Sequence, residues 1–159
     1  KAFAIRYPKE NCINYDSSLS PSVIEIGKWE YLQKGEKIAI VSTGSMVKKC
    51  INLLDSNSLS NVTLINARFI KPLDVDMLKE LSNNHEFIFT FEEGAEIGGF
   101  GSSVLNYYAN SNMKVFVKGI SDDFVEHGTR AELLHLSGLD EDTILTFIKK
   151  QMNKYEDKK

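Results

Sequence analysis

The stretch KIAIVSTGSMVKKCINLL, residues 37–54, contains the pattern of a strand, a turn and a helix in that order. Residues 37–41 form a short apolar run bounded by turn-forming residues, which is typical of a strand buried on both faces. After the turn at residues 42–45, apolar side chains recur at helical spacing from Met46 to Leu54. This stretch therefore predicts one β-α unit.

The same alternation continues along the rest of the chain. Further strands are predicted at the apolar runs 62–65 (VTLI), 87–91 (FIFTF) and 115–117 (VFV). Helical patterns separate them, as the crossovers between parallel strands require. The sequence therefore predicts an α/β fold, a three-layer sandwich in which helices cover both faces of a mostly parallel sheet of about five strands.

Local signals indicate where the helices begin. Thr129 and Glu132 fit a capping box, in which each side chain accepts a hydrogen bond from the other residue's backbone N–H. Asp140 is a favourable N-cap for the last helix. Helical runs are predicted to begin after residue 45, at Pro72 (with the apolar stripe Val75, Leu78 and Leu81), after residue 103, after Thr129 and near Asp140.

The two ends of the chain do not follow the β-α pattern. Residues 1–6 are predicted to be a strand that belongs to something longer, and the polar, turn-rich residues 8–21 a linker. Residues 22–36 predict a short hairpin that leads into the domain. The predicted organisation is the end of a preceding domain plus linker at 1–21, an α/β domain at 22–153 and a frayed, charged tail at 154–159.

The composition is that of an ordinary globular domain. The chain has 159 residues, of which 42% are hydrophobic and 26% are charged, so it can form a packed core without disulfide or metal support. Its formal net charge of −3 is too small to indicate a nucleic acid or an anionic membrane as partner. Cys12 and Cys50 lie in no CxxC or CxH cluster, so we expect free thiols and no metal site.

The turn after the first predicted β-α strand is one candidate site. Thr43, Gly44 and Ser45 place hydroxyls and a glycine at a helix N-terminus, where exposed N–H groups can bind a phosphate or sulfate. The alternative is that Thr43 or Ser45 only caps the helix.

The glycine-rich stretch GGFG at residues 98–101 is a second candidate. It contains neither a GxGxxG pattern nor a P-loop lysine, and the nearby carboxylates would repel a phosphate. Gly98, Gly99 and Gly101 indicate a close approach of backbones, either within the fold or across a subunit contact. Phe100 is predicted to be an exposed anchor.

Histidine and arginine side chains complete the candidates. His127 lies near carboxylates and an arginine in sequence, so it is either a general base or a hydrogen-bonded structural residue at a helix start. His85 and His135 are predicted to be solvated. Arg6 stands at the end of the first predicted strand, where a guanidinium can bind a phosphate through two parallel hydrogen bonds.

Five groups of motifs occur in order along nearly the whole chain. They are RYPKEN at 6–11, IEIGK at 24–28, ARFIKPLD at 67–74, EEG with GGFGS at 92–94 and 98–102, and EHG at 126–128. In combination they resemble the C-terminal domain of the transketolase-like thiamine-diphosphate enzymes, most closely that of the 1-deoxy-D-xylulose-5-phosphate synthases.

The resemblance implies a subunit of three α/β domains, of which this is the last, with residues 1–21 ending the pyrimidine-binding domain. It assigns Arg6 to the phosphate of the sugar-phosphate substrate and the glycines of 98–101 to a turn near subunit contacts. It assigns no catalytic step to His127. The chain is then a structural and dimer-supporting domain with no catalytic residue of its own.

The resemblance also implies the chemistry of the complete enzyme. A homodimer would use thiamine diphosphate and Mg²⁺, neither of which this domain binds alone, to convert pyruvate and glyceraldehyde 3-phosphate into 1-deoxy-D-xylulose 5-phosphate and CO₂ for isoprenoid synthesis. The compartment would be a plastid or apicoplast in a eukaryote and the cytoplasm in a bacterium. The alternatives are the C-terminal domain of a transketolase or of a pyruvate dehydrogenase beta-type subunit, and an autonomous regulatory module that binds an anion at Thr43–Ser45.

Overall fold

The computed structural model describes residues 2–5, 23–56, 59 and 61–156. Within these ranges the chain forms one five-stranded sheet and five helices. The strands are β1 (Glu30–Gln33), β2 (Lys37–Ser42), β3 (Thr63–Asn66), β4 (His85–Ala95) and β5 (Lys114–Ile120). The helices are α1 (Met46–Asp55), α2 (Val75–Asn84), α3 (Phe100–Tyr107), α4 (Arg130–Leu136) and α5 (Glu141–Glu156).

The strand order in the sheet is β1-β3-β2-β4-β5. All neighbouring strands are parallel except β1, which pairs antiparallel with β3. The predicted mostly parallel sheet is confirmed. The predicted hairpin at residues 22–36 is wrong, because β1 does not pair with the next strand, β2. Strands β3 and β4 pair with the two sides of the apolar β2, which leaves the more polar β1 as the outermost strand of the sheet.

Helices cover both faces of the sheet, which confirms the three-layer sandwich. Successive side chains of a strand point to opposite faces, so Ile40 of β2 joins one core and its neighbours Ala39 and Val41 join the other. Helices α1, α4 and α5 close the first core, while α2 and α3 close the second. None of the helices in the described ranges is long and apolar enough to cross a membrane.

The predicted start of α2 requires a correction. The helix begins at Val75 rather than at Pro72, because the buried Asp74 carboxylate accepts a hydrogen bond from the Met77 N–H at 3.0 Å and acts as the N-cap. The same carboxylate accepts from the Trp29 N–H at 2.8 Å. Asp74 therefore ties the segment that leads into β1 to the start of α2.

The last two helices begin as predicted. The side chains of Thr129 and Glu132 form the capping box of α4, and the Thr143 N–H donates to Asp140 at the start of α5. Helix α5 continues to Glu156, three residues into the stretch predicted to be a frayed tail.

The strand predicted at residues 1–6 is not present in its described part. Residues 2–5 belong to no strand, and the side chains of Phe3 and Ile5 are exposed. A strand needs a neighbour with which to exchange hydrogen bonds, and these residues pair with no other described residue. Residue 1 and residues 6–22 lie outside the described ranges.

His85 is half-buried at the start of β4, so the prediction of a solvated side chain is wrong. Its Nε2 lies 2.8 Å from the Thr63 hydroxyl and its Nδ1 lies 3.3 Å from the Leu81 carbonyl oxygen. Burial lowers the pKa of His85 below its ordinary value of 6.5. His135, in contrast, keeps an exposed ring beside Asp140.

The lowered pKa of His85 predicts a loss of stability in mild acid. The unfolded chain binds this proton more tightly than the folded chain does, so the free energy of unfolding should decrease as the pH falls below 6.5 toward the folded pKa. Urea unfolding from about pH 7 to about pH 5.5, above the main range of carboxylate titration, should show a smaller decrease in His85→Asn than in the unsubstituted protein. The control His135→Asn should retain the decrease. Equal pH profiles for the protein and His85→Asn would contradict the prediction.

Candidate functional site

The carboxyl ends of the parallel strands meet at one edge of the sheet, hereafter the carboxyl edge. Ligands of parallel sheets usually bind at this edge. The turns at 43–45, 67–74 and 96–99 follow β2, β3 and β4 there. The start of β1 lies at the same edge, because Glu30 pairs with Asn66 at the end of β3.

Glu92 is a buried carboxylate at the carboxyl edge. Its Oε2 accepts the Phe100 N–H at 3.0 Å and its Oε1 accepts the Gly101 N–H at 2.7 Å. These N–H groups open α3, where they have no partner within the helix and where the helix dipole favours a negative charge. The glycine-rich loop therefore surrounds a carboxylate of the protein itself. Sequence reasoning missed this role, for which the EEG motif that begins seven residues before GFG was the available signal.

The glycines of residues 98–101 permit two close approaches within the fold. A Cβ at Gly99 would lie well inside van der Waals contact of the Ala95 carbonyl oxygen, and one at Gly101 would collide with the Thr90 hydroxyl. Gly98 differs, since space is open around it and its φ of +74° requires the left-handed conformation. At Gly99 the predicted approach of backbones thus occurs inside the domain.

Phe100 is not the exposed anchor that the sequence predicts. Its side chain is only 1% exposed and its ring packs edge-to-face against Trp29 at 5.6 Å. The reason is its position as the first residue of α3, where it points into the core between the helix and the sheet. The exposed apolar side chain of this loop is Ile97, at 73%.

The hydroxyls of the Thr43–Ser45 turn do not cap α1. Thr43 Oγ1 donates to the Ala67 carbonyl oxygen at 3.0 Å, and Ser45 Oγ donates to Glu93 Oε1 at 2.5 Å. Arg130 forms an ion pair with the same Glu93 oxygen. A phosphate or sulfate that used the Ser45 hydroxyl would have to displace this carboxylate.

His127 and Arg6 are the remaining sequence candidates. The His127 side chain is exposed in the loop after β5 and forms no hydrogen bond with the described residues. The hydrogen bond that its interpretation as a structural residue requires is therefore absent among these residues. Arg6, the predicted phosphate ligand, lies outside the described residues, as does Cys12.

The described part of the chain offers no fit for a metal-bound cofactor. It contains no group of three or more His, Cys, Asp and Glu side chains that could hold a metal ion. Glu92 and Glu93 are already bound to backbone amides, Ser45 and Arg130. The Cys50 thiol is free and buried, and burial raises its pKa to about 12, which makes it a poor nucleophile.

A shallow cleft of about 540 Å³ opens at the carboxyl edge. One wall is formed by residues 70–73 and the other by the end of β4 and the start of α3. Ile70, Leu73 and Ala95 contribute apolar surface, and Lys71 is the cation at the rim. Apolar side chains therefore make up more of the cleft lining than chemically reactive side chains do.

The fold is that of a known class of domain. The transketolase C-terminal domain family matches residues 27–144, from the turn before β1 into α5. The chain belongs to this family.

Individual relatives narrow the comparison. The chain is 43% identical over 155 residues to the 1-deoxy-D-xylulose-5-phosphate synthase of Clostridium tetani, a match that covers 94% of this chain and 24% of the relative. It is 40% identical over 154 residues to the synthase of Thermotoga maritima, which covers 92% of this chain and 24% of the relative. The chain therefore spans about a quarter of the length of these curated relatives.

Solved structures carry the same fold. A split-gene transketolase, described as an inactive beta4 tetramer, superimposes with a TM-score of 0.72 at 26% identity, over 85% of this chain and 46% of that chain. The transketolase of Campylobacter jejuni superimposes with a TM-score of 0.58 at 16% identity, over 83% of this chain and 20% of that chain. The second similarity concerns the fold alone.

Proposed function

We propose that this chain is the C-terminal domain of a 1-deoxy-D-xylulose-5-phosphate synthase, a thiamine-diphosphate-dependent transferase. The main support is the 43% identity to such a synthase along 94% of the chain. The motifs RYPKEN and EHG at residues 6–11 and 126–128 favour this family over transketolases and pyruvate dehydrogenase beta-type subunits.

The domain acts as a scaffold in this proposal. At the carboxyl edge, Glu92 stabilises the start of α3 and Glu93 is bonded to Ser45 and Arg130, so neither of these two carboxylates is free to act as a general base. The preceding domains of the same polypeptide would hold thiamine diphosphate and Mg²⁺, which supply the chemistry of pyruvate decarboxylation. Those domains would also bind glyceraldehyde 3-phosphate, with Arg6 as a ligand of its phosphate group.

The assembly and the compartment are part of the same proposal. We propose a homodimer of the complete enzyme, in which the glycine-rich turn at 98–101 has the structural role that its close approaches to Ala95 and Thr90 support. The two synthases compared above come from bacteria, which favours the cytoplasm over a plastid.

Turnover assays test the proposed function. The polypeptide that carries this domain together with its preceding domains should form 1-deoxy-D-xylulose 5-phosphate from pyruvate and glyceraldehyde 3-phosphate, dependent on thiamine diphosphate and Mg²⁺. The 159-residue chain alone should form none. Cofactor-dependent product from this chain alone would refute the scaffold role, and transfer between sugar phosphates without use of pyruvate would indicate a transketolase.

Arg6 provides a second readout in the same assay. Arg6→Ala should raise the KM for glyceraldehyde 3-phosphate on the order of tenfold or more while leaving the KM for pyruvate unchanged, because a charge-assisted phosphate contact is lost. Arg6→Lys keeps the charge without the paired geometry and should have a smaller effect. An unchanged KM in Arg6→Ala would remove Arg6 from the substrate site.

A further inference from the structure

Large apolar side chains are exposed on four neighbouring segments at the carboxyl edge. Soluble domains seldom leave such side chains grouped in water unless they serve an interaction. Ile97 is 73% exposed, and Phe124 is fully exposed. The group, here called the edge surface, consists of Val23, Ile24 and Ile26 before β1, Ile70 after β3, Ile97 after β4, and Phe124 and Val125 after β5.

Contacts link neighbouring segments of the edge surface. The turn that contains Ile26 packs on the segment of Ile70, because a Cβ at Gly27 would lie 2.9 Å from Pro72 Cγ. Ile70 and the loop around Ile97 line the same cleft of about 540 Å³.

The loop after β5 joins the same surface. The Glu96 N–H donates to the Ile120 carbonyl oxygen at 2.9 Å, which holds the loop after β4 beside the loop that carries Phe124. The four segments therefore lie along one edge from the start of β1 to the end of β5, with the turn after β2 between those of Ile70 and Ile97.

The opposite edge of the sheet has a different character. A larger cleft of about 660 Å³ opens there, and its walls include Lys34, Glu80, Asn84 and His85. The described loop residues 34–36 and 109–113 expose no large apolar side chain. Other described residues with exposed large apolar side chains, such as Leu105 and Leu136, lie within strands and helices or in residues 2–5 and not in the loops of this opposite edge.

We infer that the edge surface is the face on which this domain docks against the folded part of the same polypeptide that precedes residue 23. The inference rests on the proposed function, in which the chain is the last domain of a longer enzyme. Residues 23–26 belong to the edge surface, so the chain that precedes them departs from this surface. A domain tethered there is held at high effective concentration beside it.

The lengths of the relatives support this occupant. The match covers 24% of the synthase of Clostridium tetani, so about three quarters of that protein lies outside it and is large enough to supply a complementary face. Asp122, Asp123 and Glu126 flank Phe124 in sequence. The docking partner should therefore present an apolar centre with a cation beside this acidic loop.

Hydrogen exchange on the complete polypeptide tests the inference. The double variant Ile97→Glu with Phe124→Glu places two carboxylates in the edge surface and should increase amide exchange in residues 121–127 on the order of tenfold. Leu105→Glu is a matched control, since Leu105 is 47% exposed in the last turn of α3, away from the edge surface. The control should leave exchange in residues 121–127 unchanged.

Three observations on the same samples keep the result unambiguous. Native-like amide exchange in β2 and β4 would confirm that the domain of the double variant is folded. If this domain is unfolded, the milder double variant Ile97→Ser with Phe124→Ser is used in its place. Unchanged exchange in residues 121–127 of the folded variant would overturn the inference. It would also be overturned if sedimentation showed that the variant converts a dimer into monomers with the same rise in exchange, since the occupant would then be a second copy.

Turnover separates this inference from the proposed function. If the unsubstituted polypeptide forms product but the substitutions leave exchange unchanged, only the docking surface is wrong. If exchange rises as expected in the variant but the unsubstituted polypeptide forms no product with thiamine diphosphate and Mg²⁺ both present, the docking surface stands and the proposed reaction is wrong.

Discussion

Gly99→Ala should lower the free energy of unfolding by about 3 kcal/mol or more. The added Cβ would overlap the Ala95 carbonyl oxygen and lie 2.7 Å from both carboxylate oxygens of Glu92. Neither neighbour can move freely, because Ala95 belongs to β4 and Glu92 is bound to the first N–H groups of α3. Urea unfolding followed by circular dichroism measures the effect.

Gly98→Ala is the matched control for this substitution. A methyl group added at Gly98 would meet no atom within 4 Å, so only the φ of +74° opposes the alanine there. This variant should lose about 1 to 2 kcal/mol through the left-handed conformation alone. If Gly98→Ala is as destabilising as Gly99→Ala, steric contact with Ala95 and Glu92 is not the cause.

Glu92→Ala should have the second large effect. The substitution removes the acceptor of the Phe100 and Gly101 N–H groups and leaves both donors buried at the start of α3. Each unsatisfied donor is unfavourable by about 1 to 3 kcal/mol, so the loss of both partners should lower the free energy of unfolding by about 2 to 6 kcal/mol. Urea unfolding measures the loss of free energy. Increased amide exchange across residues 100–103 would show that the loss arises at the start of α3.

Two further variants separate the charge of Glu92 from the geometry of its side chain. Glu92→Gln keeps the shape but turns an amide NH₂ group toward one of the two N–H donors, so it should also be destabilising. Glu93→Ala removes the adjacent carboxylate, which is 27% exposed and bonded to side chains, and should have a smaller effect. Equal losses for Glu92→Ala and Glu93→Ala would show that the cap of α3 contributes little.

The EEG and GGFGS motifs form one structural unit in this chain. A buried carboxylate holds a helix start, and the glycines allow the approach. The unit holds the turn at 96–99 between β4 and α3, in which Ile97 is exposed. A structural motif at the carboxyl edge thus presents the side chain that we assign to docking.

Short-range sequence patterns predicted much of the fold. The apolar runs of β2 and β4 and the helical stripe of α1 depend on residues close in the chain, and so does the capping box of Thr129 and Glu132. A strand that is buried on both faces needs a continuous apolar run, and such a run can be recognised without knowledge of the rest of the chain. The class of fold followed, because consecutive parallel strands admit few connections.

The contacts of the candidate site were harder to predict from short-range patterns. Glu92 and Phe100 are eight residues apart, and no local period indicates that the carboxylate of one accepts the N–H of the other. Ser45 and Glu93 are 48 residues apart and meet only because β2 and β4 are neighbours in the sheet. Phe100 was predicted to be exposed because a glycine-rich turn does not indicate which way the first residue of the next helix points.

The sequence by itself determined the alternation of strands and helices, the parallel α/β class and the resemblance to the family, since each depends on residue types and spacing along the chain. The tertiary structure alone decided that β1 pairs with β3, that Glu92 caps α3 and that the apolar side chains of four separate segments share one edge. The physical reason is that these features arise from contacts between residues that are distant along the chain, and the packing of the whole sheet determines which of them meet.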